Sequence, residues 1–247
     1  MYLKIKGLVL RVTVYNDTDA LLTLLTHSHG KITVKARGLR RKNSPLAAPC
    51  QLLAYAEFTL FHHKEMYTIN EAHSISLFLP LRKDIVKLSL ASYFGQVAEL
   101  LCQEDMPNPE LLSLVLNCLY ALTELPLDER LVKSVFELRS ACLSGYAPDL
   151  SGCAVCGREE GNRLDLSEGH LICASCYGSG GNSIRMPITP GALDAMRYIC
   201  FCEKQKLFSF QINADSLANL SQVTEYYLLT QLERGFSTLD YYKSLLI

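Results

Sequence analysis

Near Pro80 the hydrophobic period of this chain changes, and that change limits the folds open to it more than any other feature. Before it, apolar and polar residues alternate. Beyond it, apolar residues recur at three- to five-residue intervals. A period of two fits a strand with one buried face, whereas a period near 3.6 fits a helix with one buried stripe. No single element satisfies both, so the sequence divides into a strand-built domain over 1–80 and a helix-built domain over 81–247. At 247 residues and 49% hydrophobic content, the chain can bury a sizeable core. No apolar run reaches the ~18 residues needed to cross a bilayer. The opening Met1-Tyr-Leu-Lys-Ile-Lys alternates instead of forming the apolar block of an export signal, so the expectation is a soluble, cytoplasmic protein with no membrane partner.

Five strand-like runs lie in the first domain. Lys4–Val14 alternates and is rich in β-branched residues, and Tyr15-Asn-Asp-Thr-Asp19 follows it as a turn. Ala20–Thr26 and Lys31–Arg37 are joined across His27-Ser-His-Gly30, a hairpin-sized gap. After a basic, proline-containing loop (Gly38–Pro49) come Gln51–Phe61 and Met66–Ile75, separated by His62-His-Lys-Glu65. Such spacing predicts a small closed or nearly closed β-barrel, with a five-stranded sandwich fragment as the alternative.

The second domain reads as helices over Leu81–Cys102, Glu110–Leu122, Glu129–Ser144, Thr189–Cys202 and Asp215–Arg234. Asp128 is placed to cap the third, Gly145 to end it, and Thr189-Pro190 to open the fourth. The long helix before Gly235 reads as the last. The architecture expected is α+β and multidomain, a barrel followed by a helical domain that carries an inserted segment at 149–178.

That segment holds Cys153-Ala-Val-Cys156 and Cys173-Ala-Ser-Cys176. Two intervening residues let one tight turn present two thiolates, and two such turns fill a tetrahedral shell around zinc. The prediction is one structural Zn2+ per chain on Cys153, Cys156, Cys173 and Cys176. Four protein ligands leave no position for a reactive water. A disulfide pair or a redox-active motif is the competing reading, but no βαβ context of the thioredoxin kind surrounds the cysteines. His170 is expected to be a surface residue, and Gly178-Ser-Gly-Gly181 a short linker. The other six cysteines, Cys50, Cys102, Cys118, Cys142, Cys200 and Cys202, read as buried free thiols.

The near-neutral charge conceals a split. Residues 1–80 hold ten Lys and Arg against five Asp and Glu, a balance of +5, and the remainder carries −6. Six of those cations, Lys31, Lys35, Arg37, Arg40, Arg41 and Lys42, fall within twelve residues. Lys31, Lys35 and Arg37 share one parity of a strand and therefore one face. A basic face with an adjoining basic loop suits a phosphate backbone, although a solvated strand face has the same signature. Tyr15, Tyr55, Phe58, Phe61 and Tyr67 are aromatic at strand spacing, a pattern that fits core packing better than base stacking.

Taken in order, these landmarks resemble a known family. Gly7-Leu-Val-Leu-Arg11, the Asp-rich turn before Leu21–Thr26, Gly30-Lys31, Ala36-Arg-Gly-Leu-Arg-Arg41, the two cysteine pairs and Thr189-Pro-Gly-Ala-Leu193 are similar to the RecO family of bacterial recombination mediators. The resemblance implies an N-terminal OB-fold, a helical domain and a zinc site. It further implies binding of single- and double-stranded DNA and annealing of complementary strands. With RecR, it implies loading of RecA onto DNA coated by single-strand-binding protein, with other RecA/RecF-pathway proteins as further partners and the nucleoid as the place of action. By position, Lys31, Lys35, Arg37, Arg40, Arg41 and Lys42 inherit the DNA-binding role. The turn Tyr15-Asn-Asp-Thr-Asp19, where the family often carries Gly-Glu, and the histidines around Ser28 depart from its pattern.

An enzyme is the reading from a different class. No phosphate-cradling Gly-x-x-x-x-Gly-Lys-Ser/Thr, no His-Glu-x-x-His and no Gly-x-Ser-x-Gly occurs, so no enzymatic activity is expected. An RNA-binding or protein-interaction module built on the same barrel and zinc segment is the remaining alternative.

Overall fold

In a computed structural model, residues 2–63, 66–159, 161–178 and 183–246 are described. In chain order the strands are β1 (Tyr2–Val14), β2 (Ala20–Thr26), β3 (Lys31–Ala36), β4 (Tyr55–His63), β5 (Met66–Ser76), β6 (Asp149–Cys153), β7 (Arg163–Asp165), β8 (His170–Ile172) and β9 (Arg185–Pro187). The helices are α1 (Ile85–Leu101), α2 (Pro109–Glu124), α3 (Glu129–Leu143), α4 (Pro190–Phe201), α5 (Ala214–Gln231) and α6 (Ser237–Ser244). They form two compact units, Met1–Leu125 with Phe236–Ile247, and Pro126–Gly235. The change of period near Pro80 lies within the first.

In the first unit, five strands close into a barrel in the order β1-β2-β3-β5-β4. All neighbours are antiparallel except β3 and β5, where Val34 lies opposite Tyr67 in a parallel pair. A five-stranded barrel of this order is an OB-fold. Ile5, Val9, Leu22, Leu24, Ile32, Val34, Phe58, Leu60 and Ile69 point inward and form its core. A register shift between Val9 and Arg11 in β1 re-aims that strand part-way along the barrel.

Strand ends shift by one or two residues in β1, β3 and β5, leaving Arg37 beyond the end of β3, and both ends of β4 differ from the sequence reading. Residues 51–54 are turns, not the start of β4, because Leu53 sits in the left-handed region (φ 62°) and donates its N–H to the Val9 carbonyl at 2.8 Å. β4 then runs on through His62 and His63, while Lys64 and Glu65 of the expected connection lie outside the described residues. The expected linker Gly178-Ser-Gly-Gly181 lies outside them beyond Gly178.

The outward side chains of β2 are also buried: Thr23 and Leu25 are shielded because α1 packs on β1 and α2 on β2. Gly95 permits the approach of α1, since a Cβ there would already touch the Leu53 side chain at 3.4 Å. The sequence pattern starts this helix at Leu81, but Leu79–Lys83 is a separate 3-10 turn. Asp84, extended at φ −132°, breaks the run and caps α1 by accepting from the Val86 and Lys87 N–H groups. Asn108 does the same for α2 through Leu111. A helix the sequence reading missed, α6, joins α1 through a Tyr93–Phe236 edge contact (5.5 Å) and a Thr238–Gln96 hydrogen bond (2.6 Å).

The second unit packs α3 against α4 and α5, beside a four-stranded sheet in the order β6-β8-β7-β9. Three of its strands are only three residues long, too short to leave a period in the sequence. Between α3 and α5 lies a buried ion network. Lys133 Nζ reaches Glu137 at 2.9 Å and Glu225 at 2.8 Å and donates to the Ser221 carbonyl, while Thr224 donates to Glu137. Burial pushes the Glu137 carboxyl up, partly countered by the Lys133 charge.

No helix of the described residues is long and apolar enough to cross a membrane. Lys133→Met removes the cation that two buried carboxylates share and is expected to destabilise the protein by about 3–5 kcal/mol. Urea unfolding checks this, and adding Glu137→Gln in the same chain should recover part of the loss.

Candidate metal centre and nucleic-acid interface

The two cysteine pairs meet at the end of the small sheet. Cys153 closes β6 and Cys173 directly follows β8. Parallel pairing of β6 with β8 places Cys153 opposite Leu171, two residues before Cys173. Each pair then turns back on itself. The Gly157 N–H bonds the Cys153 carbonyl at 2.8 Å, and the Cys176 N–H bonds that of Cys173 at 3.1 Å. Gly157, at φ 73°, takes a backbone conformation that other residues reach at a cost.

As a result the four sulfurs lie within 4.8 Å of one another. Cys156 Sγ and Cys173 Sγ are 3.7 Å apart, too far for a disulfide and close to the roughly 3.8 Å expected between two thiolates on one tetrahedral zinc with bonds of about 2.3 Å. Cys153 and Cys173 are buried, Cys176 is half-buried and Cys156 exposed. A hydrogen bond from the Cys173 N–H to Cys153 Sγ (3.3 Å) lowers the Cys153 thiol to about 6 and favours the thiolate a metal needs. The donor set is all sulfur, so it suits a soft tetrahedral ion. His170, expected at the surface, is half-buried at the start of β8 and is not one of the clustered ligands.

Charged residues brace the same sheet. Arg185 pairs with Asp165 at 3.3 Å and donates to the Tyr177 carbonyl at 2.6 Å, and Arg163 lies over the Tyr177 ring at 4.3 Å. Asp165 also accepts from Ser183 and from the Ser167 and Glu168 N–H groups. Of the remaining cysteines, Cys50, Cys102 and Cys118 are buried as the sequence suggests, whereas Cys142, Cys200 and Cys202 are only partly so. They lie near the ends of α3 and α4, where chain termination opens the packing.

The basic stretch follows the parity read from the sequence for Lys31 and Lys35, whereas Arg37, expected on the same strand face, lies in the turn after β3 because the strand ends at Ala36. Ile32, Val34 and Ala36 point into the barrel, and Lys31, Thr33 and Lys35 point outward. The six cations are not equivalent, however. Lys31 donates to the Glu99 carbonyl in the last turn of α1 at 3.1 Å. Lys35 pairs with Asp19 at 3.2 Å and lies over the Tyr15 ring at 4.3 Å. Arg40 bonds the Asn16 carbonyl at 2.9 Å. Arg37, Arg41 and Lys42 are exposed and pair with no carboxylate among the described residues.

Asp19 organises this edge. Its carboxylate accepts from the Gly38 N–H at 2.9 Å, so the β1–β2 turn and the basic loop after β3 are joined. That hydrogen bond, with those from Lys35, Thr18 and Asn16, holds the Asp19 carboxyl down at about 2. None of this was visible in a sequence where Asp19 reads as one residue of a turn. Among the aromatic residues noted, Phe58 is core and Tyr15 and Phe61 are exposed. Phe61 is joined by Tyr2, whose ring lies 5.4 Å away.

Comparison with known proteins agrees with this architecture. Residues 1–78 match the family model described as Recombination protein O N terminal, and residues 82–240 match Recombination protein O C terminal. The chain belongs to the RecO family. DNA repair protein RecO of Acetivibrio thermocellus is 33% identical over 246 residues, covering 99% of this chain and 97% of that protein. Its counterpart in Alkaliphilus metalliredigens is 30% identical over 248 residues, 99% of this chain and all of the relative. That of Bacillus subtilis is 28% identical over 228 residues, 92% and 88% of the two chains. A role in DNA repair and recombination follows from membership.

Two outcomes are expected. Cobalt(II) added to metal-free protein should give the sulfur-to-metal absorption of a four-thiolate site, lost in Cys156→Ser; a spectrum that the substitution leaves unchanged would place the ion elsewhere. Asp19, lowered from 3.8 to about 2 in the fold, contributes stability that is present above about pH 4 and lost as pH falls through about 2. Following the Asp19 carboxyl and the Gly38 amide by NMR through that window checks it.

Proposed function

We propose that this chain is a non-enzymatic recombination mediator that binds single- and double-stranded DNA through residues 1–80. In this reading it anneals complementary strands. It acts with RecR to load RecA onto single strands coated by single-strand-binding protein, alongside other RecF-pathway proteins, in the cytoplasm on the nucleoid. The observation that supports it best is a cationic edge on an OB barrel in a member of the RecO family: Lys31, Lys35, Arg37, Arg40, Arg41 and Lys42 within one strand and its following loop.

Three of these cations, Arg37, Arg41 and Lys42, are exposed and unpaired with any carboxylate among the described residues, so phosphates would meet them directly. Lys35 is shared with Asp19, and its contribution requires a phosphate to compete with that carboxylate. Arg40 uses part of its guanidinium to join the loop to the β1–β2 turn, which makes it a positioning residue as much as a contact. In the second unit, Cys153, Cys156, Cys173 and Cys176 would hold one structural Zn2+. Four thiolates complete its coordination, so the ion shapes the segment without activating water.

Salt dependence tests the DNA assignment. Neutralising single-stranded phosphates with all six cations gives a log-log slope of about −4, and Arg37→Ala/Arg41→Ala/Lys42→Ala should lower its magnitude by about 2. An unchanged slope and affinity in that triple variant would sink the assignment. Competition among single-stranded DNA, duplex DNA and RNA of one sequence belongs to the same experiment, and strong preference for RNA would favour an RNA-binding module instead.

A further inference from the structure

Away from the metal centre, the second unit holds another group of sulfurs that the proposed function does not use. Cys142, in the last turn of α3, and Cys200, near the end of α4, are 58 residues apart in sequence, yet their Sγ atoms are 3.6 Å apart. Arg139 fixes the pair. One turn before Cys142, it donates from Nη1 to the Ile199 carbonyl at 3.0 Å and the Cys200 carbonyl at 2.6 Å, clamping the end of α4 to α3. Cys202 lies just beyond, its thiol on the Ile199 carbonyl. All three cysteines are partly exposed.

We propose that Cys142 and Cys200 form a redox-active pair that small-molecule disulfides oxidise to an intramolecular disulfide joining α3 to α4. Two sulfurs already in van der Waals contact need to approach by only roughly 1.5 Å to reach bonding distance. The surroundings assign the roles. The contact between the two sulfurs and the nearby Arg139 charge lower the Cys142 thiol against its burial, while the same contact and burial raise Cys200. Partial exposure beside a guanidinium is the setting in which cysteines react.

The chemistry is two successive exchanges. The Cys142 thiolate attacks one sulfur of the oxidant disulfide, forming a mixed disulfide and expelling one thiolate. Cys200 gives up its proton and attacks the Cys142 sulfur, expelling the second thiolate. Two protein thiols lose two electrons and two protons, and one small disulfide becomes two thiols. The product ties together the two ends of the segment that carries the metal cysteines.

The test uses the full-length, metal-loaded chain, oxidised with glutathione disulfide, alkylated, digested without reduction and mapped by mass spectrometry. The expected result is a Cys142–Cys200 cross-linked peptide and the loss of two alkylatable thiols, with metal content unchanged. Cys200→Ser should stop at a glutathione adduct on Cys142, and Cys142→Ser should abolish the cross-link with little adduct at Cys200. Recovery of both cysteines in the wild-type chain as free thiols, or as separate adducts without a cross-link, would overturn the proposal. So would oxidation confined to Cys153, Cys156, Cys173 and Cys176. Mapping the wild-type chain decides the matter even if a serine variant fails to fold.

Discussion

Parallel pairing of β3 with β5 is the constraint on which the first unit rests. Without it, β3 would be an edge strand with a free row of backbone donors and acceptors, and its register would be set on one side only. Pairing Val34 with Tyr67 and Lys35 with Thr68 closes the barrel and fixes which side chains of β3 face inward. Ile32, Val34 and Ala36 then fill the interior, and the intervening positions must point out. A slip of one residue would bury Lys31 and Lys35 in an apolar core, at a cost no nearby carboxylate could offset. Closure therefore places the cations as a consequence of packing.

Placement is not availability. Ionised at neutral pH, Asp19 takes up the charge of Lys35 and, through Gly38, holds the loop that bears Arg40, Arg41 and Lys42. The edge is thus more rigid and less positive than a count of basic residues implies. A preformed loop has less conformational freedom to lose when a phosphate binds. Rigidity and reduced charge act in opposite directions on affinity, and the first favours selection by shape over simple attraction.

How much of this was legible in the sequence depended on range. Strand alternation in β3, the Asp128 cap of α3 and the two Cys-x-x-Cys turns are written in neighbouring residues, and all are present. What lay hidden was written across distance. The Lys31 partner is 68 residues away, and the contact between Cys142 and Cys200 spans 58. Short elements were invisible for another reason. Strands of three residues and a helix of eight complete too few periods to stand out from loops. The early start given to β4 failed on backbone conformation, since Leu53 is apolar yet left-handed.

The two sulfur groups of the second unit differ in what balances them. In the small sheet, β7, β8 and β9 have three residues each, well below what holds a sheet together unaided. Its stability must come from outside the ladder, from burial of Leu150, Leu164, Leu171 and Ile172, from the Asp165–Arg185 pair and from whatever joins Cys153, Cys156, Cys173 and Cys176. One divalent ion there would satisfy four thiolates at once and lower their affinity for protons, which removes the reason for them to exchange with other sulfurs. Between α3 and α4 a single guanidinium stands beside Cys142 and Cys200, bonded to backbone carbonyls and not to sulfur. That charge favours a thiolate without capping it. With an ion bound the first group would be inert, whereas the second, on the redox proposal, would keep its nucleophile.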